Sequence, residues 1–169
     1  MTRIQEVFFS LPERNYLLLC CDGAFKGNPG TAGFGFIGRN NSGDFVIAMS
    51  GGLGVAKFFY AEAMAVLCTG ECAIQNGYLQ LIFRSDSQLV IEAFRSMNVP
   101  WSAISRWSKI CEKVKDWIFI HSYREVNFSA DALAKKGVNL QKGECIIYNR
   151  GPAFLTQMKN DHQVYYRFS

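Results

Sequence analysis

Several large functional classes are excluded by what this chain lacks. No stretch approaches the roughly 18 uninterrupted apolar residues of a membrane-spanning helix, so no membrane partner is expected. The opening Met1-Thr2-Arg3-Ile4-Gln5-Glu6-Val7-Phe8-Phe9-Ser10 holds too short an apolar run for a secretory signal, and Glu6 interrupts it. A cytoplasmic or nuclear location is the expectation. Cysteines stand at 20, 21, 68, 72, 111 and 145 without a Cys-x-x-Cys or a Cys/His zinc spacing. They read as small buried residues or free thiols, usage that suits a reducing compartment. No Gly-Lys-Ser/Thr follows Gly27-Asn28-Pro29-Gly30, which excludes a P-loop. Gly33-Phe34-Gly35-Phe36-Ile37-Gly38 spells the dinucleotide fingerprint, but a hairpin signal follows it where a helix is required. Neither sign of charge dominates. The net charge is +4, and Lys26, Arg39, Lys57, Arg84, Lys135 and Lys136 lie in separate elements. That is compatible with a polyanionic ligand, though most of these residues read as a solvated mixed surface.

Apolar and aromatic residues are plentiful: 49% and 14% of 169 residues, enough for one globular domain with a sizeable core. Tyr16 to Cys21 is a short apolar run closed by Asp22-Gly23, as in a buried central strand. After the turn cluster at Gly27–Gly30, Gly33 to Ile37 alternates small and large residues, and Asn40-Asn41-Ser42-Gly43-Asp44 signals a hairpin into a strand over Phe45 to Ser50. These three strands should form an antiparallel meander. Phe58 to Gln75 is free of proline, spaces Ala61, Met64, Ala65, Cys68 and Cys72 at helical intervals, and stops at Asn76-Gly77. Leu79 to Phe83 then reads as a strand and Ser87 to Phe94 as a short helix. Pro100 breaks the chain, and Ser102 is placed to cap a helix running to about Val114. Trp117 to His121 and Ser129 to Val138 supply a last strand and a last helix. Strand–helix alternation after a meander implies a mixed sheet with helices on both faces.

Four acids stand out by their surroundings. Asp22 and Asp86 each close an apolar run, while Glu62 lies between Ala61 and Ala63 and Asp131 between Ala130 and Ala132 on predicted helices. A carboxylate beside a buried run is costly unless something pairs with it, and a divalent cation is the usual partner. Four converging carboxylates can hold two Mg²⁺ ions at the spacing of about 3.5–4 Å used for phosphodiester cleavage. Each acid also has a plainer reading. Asp22-Gly23 can be a turn, Asp86 an N-cap, Glu62 a solvated helical acid and Asp131 a complement to a helix dipole.

The order and spacing of these motifs resemble the type 1 ribonuclease H family, in particular its plant reverse-transcriptase-like branch. The resemblance runs from about Tyr16 to Val138 and is most specific over Asp22-Gly23-Ala24-Phe25-Lys26-Gly27-Asn28-Pro29-Gly30. Ser85-Asp86-Ser87-Gln88 matches the family's second aspartate, and Asn127 with Asp131 matches its closing Asn-x-x-x-Asp before Ala132-Leu133-Ala134. The resemblance implies an α/β ribonuclease H-like fold: a five-stranded mixed sheet, antiparallel meander then parallel strands, with helices on both faces. It implies a domain over 16–140, an N-terminal extension over 1–15 and a C-terminal extension over 141–169 that packs on the domain. The 45 residues from Asp86 to Asp131 leave no space for the lysine-rich helix that some members insert there.

On function, the resemblance implies an endoribonuclease cutting the RNA strand of RNA–DNA hybrids, and other RNA duplexes as a further partner class, by a monomer carrying two Mg²⁺ with Mn²⁺ as substitute. Asp22, Glu62, Asp86 and Asp131 would be the metal ligands and catalytic acids. Asn28, Gly30, Gln88 and Asn127 would contact substrate, with Asn28 and Gln88 reaching ribose 2′-hydroxyls and base edges. His121, ten residues before Asp131, occupies the offset of a family histidine that assists proton transfer or product departure. Its reading as a packed strand-edge residue stands level with that role. One departure concerns the residues before Glu62. Where the family carries small polar residues that contact nucleic acid, this chain has Lys57-Phe58-Phe59-Tyr60. An alternative function follows: a catalytically weak or inactive module of the same fold that binds nucleic acid or protein. A DEDD-type 3′–5′ exonuclease ranks low, since Asp22-Gly23-Ala24 lacks the Asp-x-Glu such enzymes need. The resemblance to the ribonuclease H family also suggests a domain that derives from, or resides in, a retroelement.

Overall fold

A computed structural model describes residues 4–8, 15–27, 30–123, 127–148 and 164–168. In chain order the elements are β1 (Ile4–Phe8), β2 (Leu17–Gly27), β3 (Gly30–Arg39), β4 (Phe45–Ala56), α1 (Phe58–Gln75), β5 (Gln80–Ser85), α2 (Gln88–Arg95), α3 (Trp101–Lys113), β6 (Asp116–His121), α4 (Phe128–Val138), β7 (Cys145–Tyr148) and β8 (Val164–Phe168). Six strands form one mixed sheet in the order β6-β5-β2-β3-β4-β7. β2, β3 and β4 make the expected antiparallel meander, and β5 and β6 run parallel to β2. The expected five strands are joined by a sixth: β7, from the C-terminal stretch, pairs antiparallel with Ala48–Gly51 of β4. β8 pairs with β1 in a separate two-stranded ribbon. Among the described residues, no helix is long and apolar enough to cross a membrane.

Alternation along β2 divides the core between two faces. Leu17, Leu19 and Cys21 join a large cluster under α1, α2 and α3, whereas Leu18 and Cys20 join a smaller one with Ile37, Ile82, Ala130 and Leu133 under α4. Trp107 of α3 is fully buried, with ring centroids 4.9 Å from Phe94 and 5.9 Å from Phe83. Truncating it to alanine would cost about 3–5 kcal/mol.

The α4 face is built differently, by backbone approach. A side chain at Gly35 would overlap the backbone of Leu133 and Ala134, so only glycine lets α4 lie this close to β3. Gly33 and Gly35 are therefore a seat for α4, which accounts for two of the three glycines of the stray dinucleotide motif. Ser50 Oγ locks the contact by donating to Leu133 O at 2.7 Å.

Two local expectations change. α3 begins at Trp101 with Pro100 as N-cap, not at Ser102. The Pro100 carbonyl accepts from the amides of Ala103 (2.8 Å) and Ile104 (3.1 Å), so the turn closes without a side-chain cap. β2 does not end at Asp22-Gly23 either. It continues to Gly27, with Asp22 paired to Gly35 of β3, so the Asp-Gly turn reading falls away.

Candidate metal centre

The site lies where β2 loses one neighbour. The parallel pairing of β2 with β5 runs from Leu17 to Cys20 and stops, while the β2–β3 ribbon continues to Gly27. Asp22 is the second residue past that split, and Asp86 follows the last residue of β5. α1 supplies the third acid from above. A Cβ on Gly23 would stand 2.8 Å from both Ala61 C and Glu62 N, so glycine at this position is what allows α1 to settle on β2 with Glu62 beside Asp22. Ser87, not Asp86, caps α2: its Oγ accepts from the Val90 amide at 3.4 Å. Asp86 is thereby spared the capping task.

Among the described residues, Asp22, Glu62 and Asp86 each place a carboxylate oxygen such that all three lie within 4.8 Å of one another. Asp22 and Glu62 are only 4% and 3% exposed. Burial first, then the charges of Glu62, Asp86 and Asp131, hold the Asp22 carboxyl well above the usual carboxylate range. Burial and the Asp86 charge push Glu62 up to about 8, partly offset by its hydrogen bonds to Asp22 and to the Gly23 amide. Such a trio needs protons or a cation to balance it. An all-oxygen, anionic donor set of this kind fits a hard divalent ion such as Mg²⁺ or Mn²⁺.

Asp131 lines the same cleft of about 640 Å³ but stands outside the close trio. It lies in the first turn of α4, and its Oδ2 accepts from Lys135 Nζ at 2.8 Å. The i, i+4 spacing of Asp131 and Lys135 is visible in the sequence, yet the pairing and the lysine's place in the cleft were missed. Phe25 and Phe58 form one wall.

The remaining candidate residues are placed elsewhere. Asn127 has no exposed surface, and its Nδ2 donates to Cys21 O at 3.1 Å, which ties the start of α4 to β2 beside Asp22. Positioning, not ligand contact, is its task in this arrangement. A side chain on Gly30 would overlap Lys26 O, so glycine there serves the tight connection between β2 and β3. Gln88 is exposed at the start of α2, Nε2 donating to Glu92 Oε1 at 3.3 Å, and does not line the cleft. His121 ends β6, exposed, with its ring 5.5 Å from that of Tyr123. Asn28 lies outside the described residues. Cys21 is buried with its thiol pushed well up by burial, as a packing residue would be.

With this geometry in view, residues 20–137 match the family model described as "Reverse transcriptase-like". The chain belongs to the reverse transcriptase-like family. It is 29% identical over 126 residues to ribonuclease HI of Halobacterium salinarum, an alignment covering 70% of this chain and 62% of that protein. The chain thus spans less than two thirds of that relative's length. The crystal structure of RNase H1 from the same archaeon superposes with a TM-score of 0.68 at 28% identity, over 73% of this chain and 98% of the other. LC11-RNase H1, solved in complex with an RNA/DNA hybrid, gives 0.65 at 25% identity, over 73% and 96%. The ribonuclease H-like fold and the distant kinship to ribonuclease HI are therefore plain.

Proposed function

We propose that this chain is a metal-dependent endoribonuclease that hydrolyses the RNA strand of RNA–DNA hybrids. The observation that carries the reading is the close trio of Asp22, Glu62 and Asp86, two of them buried, lining one cleft. Its kinship to ribonuclease HI and the hybrid bound to a structural relative support the choice of substrate. Asp22, Glu62 and Asp86 would hold Mg²⁺ or Mn²⁺, and Asp131 across the cleft would complete the set for a second ion. When bound, two such ions activate water and stabilise the leaving 3′-oxygen, giving 5′-phosphate and 3′-hydroxyl ends.

The protein's own groups divide the remaining work. Glu62, with its carboxyl pushed up to about 8, would give up its proton to admit a cation, and burial beside Glu62 raises Asp22 in the same direction. Lys135 restrains Asp131 through a pair worth about 0.3–0.5 kcal/mol at such an exposed i, i+4 site, weak enough to yield. Lys26 and Lys135 line the cleft where substrate phosphates would lie. Gln88 and Asn28 would read 2′-hydroxyls, and His121 would assist proton transfer. Replacing His121 by alanine should then slow turnover about 10²–10⁴-fold with metal affinity intact.

The deciding assay is cleavage of a labelled RNA–DNA hybrid with Mg²⁺, with Mn²⁺ and with chelator. Cleavage confined to the RNA strand and lost in chelator is the expected result; persistence in chelator rejects the metal assignment. A second reading, a weak or inactive binding module, is favoured by one observation: Phe58 lines the cleft, in the stretch before Glu62 where the sequence resemblance implies small polar residues. The same assay separates the two readings. The reading includes a monomeric domain over 16–140 with flanking extensions. Placement in the plant branch would rest on the sequence resemblance alone.

A further inference from the structure

We propose that Phe25 and Phe58 form a stacking platform for an unstacked nucleobase, so that the cleft prefers hybrids interrupted by a bulge or junction to continuous duplex. The inference rests on the cleft's being the nucleic-acid site proposed above and concerns which form of nucleic acid it takes.

The two rings come from different elements, Phe25 from the β2–β3 ribbon and Phe58 from the first position of α1, and meet edge to face with centroids 5.0 Å apart at 87°. Their burial is unlike that of the core aromatic residues on this side of the sheet. Phe83, Phe94 and Trp107 are fully enclosed, whereas Phe25 and Phe58 keep 36% and 37% of their surface in solvent and line the cleft that holds the carboxylates. Phe59, the next residue, packs against the core instead. The chain therefore presents one ring of the Phe58-Phe59 pair to the cleft and props it with Phe25.

An apolar wall in the same cleft as the acidic trio and the ammonium groups of Lys26 and Lys135 suits a ligand that is anionic in one part and flat and aromatic in another. A nucleotide has that form. In a continuous duplex its base is stacked on its neighbours and has no free face. Unstacking a paired base is unfavourable, least so at a mismatch, bulge or end. One base stacked on a protein aromatic ring gains about five- to a hundredfold in affinity, which is of the size needed to turn that difference into a preference.

The test uses a short RNA–DNA hybrid with a fluorescent adenine analogue in the RNA strand, either paired or bulged. Binding is titrated in Ca²⁺, and the analogue's emission is followed. Wild-type protein should bind the bulged hybrid about five- to tenfold tighter than the paired one, with emission quenched on binding. Phe58→Leu and Phe25→Leu keep apolar bulk but remove the ring, and each should bring the ratio close to one and abolish quenching. Equal wild-type affinities, no binding of either hybrid, or a ratio unchanged in both leucine variants would each overturn the proposal. Should Phe58→Leu melt early, Phe25→Leu and the wild-type ratio decide. Metal-dependent cleavage of paired hybrid without a bulge preference removes the platform and leaves the nuclease. Ring-dependent quenching without cleavage in Mg²⁺ or Mn²⁺ keeps the platform and removes the nuclease.

Discussion

The two sides of the cleft hold acids in opposite electrostatic circumstances. On the side built by β2, α1 and β5, three carboxylates lie within 4.8 Å of one another, and two are nearly inaccessible. On the α4 side a single carboxylate, with 19% of its side chain exposed, is paired to a lysine one turn along the same helix. The first arrangement is unfavourable until protons or cations arrive; the second is balanced as it stands. A folded protein keeps the first kind of cluster where binding uses the imbalance. On the proposed function, Asp22, Glu62 and Asp86 would hold a cation, and Asp131 would serve as a reserve ligand released from Lys135.

The largest effects should separate these two sides. Asp22→Asn or Asp86→Asn should reduce hybrid cleavage to the level of a chelated sample, while the metal-free protein melts at a higher temperature than wild type. Asp131→Asn should lower cleavage only about ten- to a hundredfold, because one charged contact is worth about 1.5–3 kcal/mol. Its metal-free melting temperature should not rise, since Lys135 then loses its partner. Equal losses for all four variants would erase the distinction.

Next come the glycines that set the approach of each helix. Gly23→Ala puts a methyl group against the α1 backbone and should destabilise by about 1–3 kcal/mol while weakening Mn²⁺ affinity. Gly35→Ala, under α4, should destabilise comparably and leave Mn²⁺ affinity at the trio nearly intact. Thermal melts beside Mn²⁺ titrations read both quantities.

A pH effect of the trio alone should follow. Glu62 has its carboxyl raised from an ordinary 4.5 to about 8, and Asp22 is raised as well. Between the two Glu62 limits the folded protein binds more protons than the unfolded chain, so the metal-free protein must lose stability as pH rises from about 4.5 to 8. Glu62→Gln should flatten the decline, and saturating Mg²⁺ should reduce it. The smallest effect belongs to Lys135→Met. Freeing Asp131 should tighten Mn²⁺ binding by a few-fold, in line with a pair worth about 0.3–0.5 kcal/mol.

Much of this contrast was legible in the sequence, because the acids sit at junctions that periodicity marks. The apolar runs into Asp22 and Asp86 and the proline-free helix around Glu62 locate three acids without tertiary information. What escaped depends on contacts between distant segments. Asp22-Gly23 looks like a strand end, yet β3 carries the pairing on to Gly27. The role of Gly23 exists only once α1 lies on it. Asn127, matched to a substrate contact, spends its amide on Cys21 O, 106 positions away in the chain. β7 is four residues long, too short for an alternating pattern to declare it. The split of Phe58 from Phe59, one in the cleft and one on the core, follows from the rotation of α1 on the sheet, which neighbouring identical residues cannot reveal.

Calorimetric titration of Mn²⁺ into the metal-free protein at neutral pH, in two buffers of different ionisation enthalpy, tests the central claim most directly. Saturable binding should release protons, because the Glu62 carboxyl, pushed up to about 8 by burial and the Asp86 charge, must give up its proton to the ion. Asp22→Asn should abolish that binding, and Asp131→Asn should retain it. No saturable binding, or binding without proton release that survives in Asp22→Asn, would contradict the assignment of the trio as a cation site.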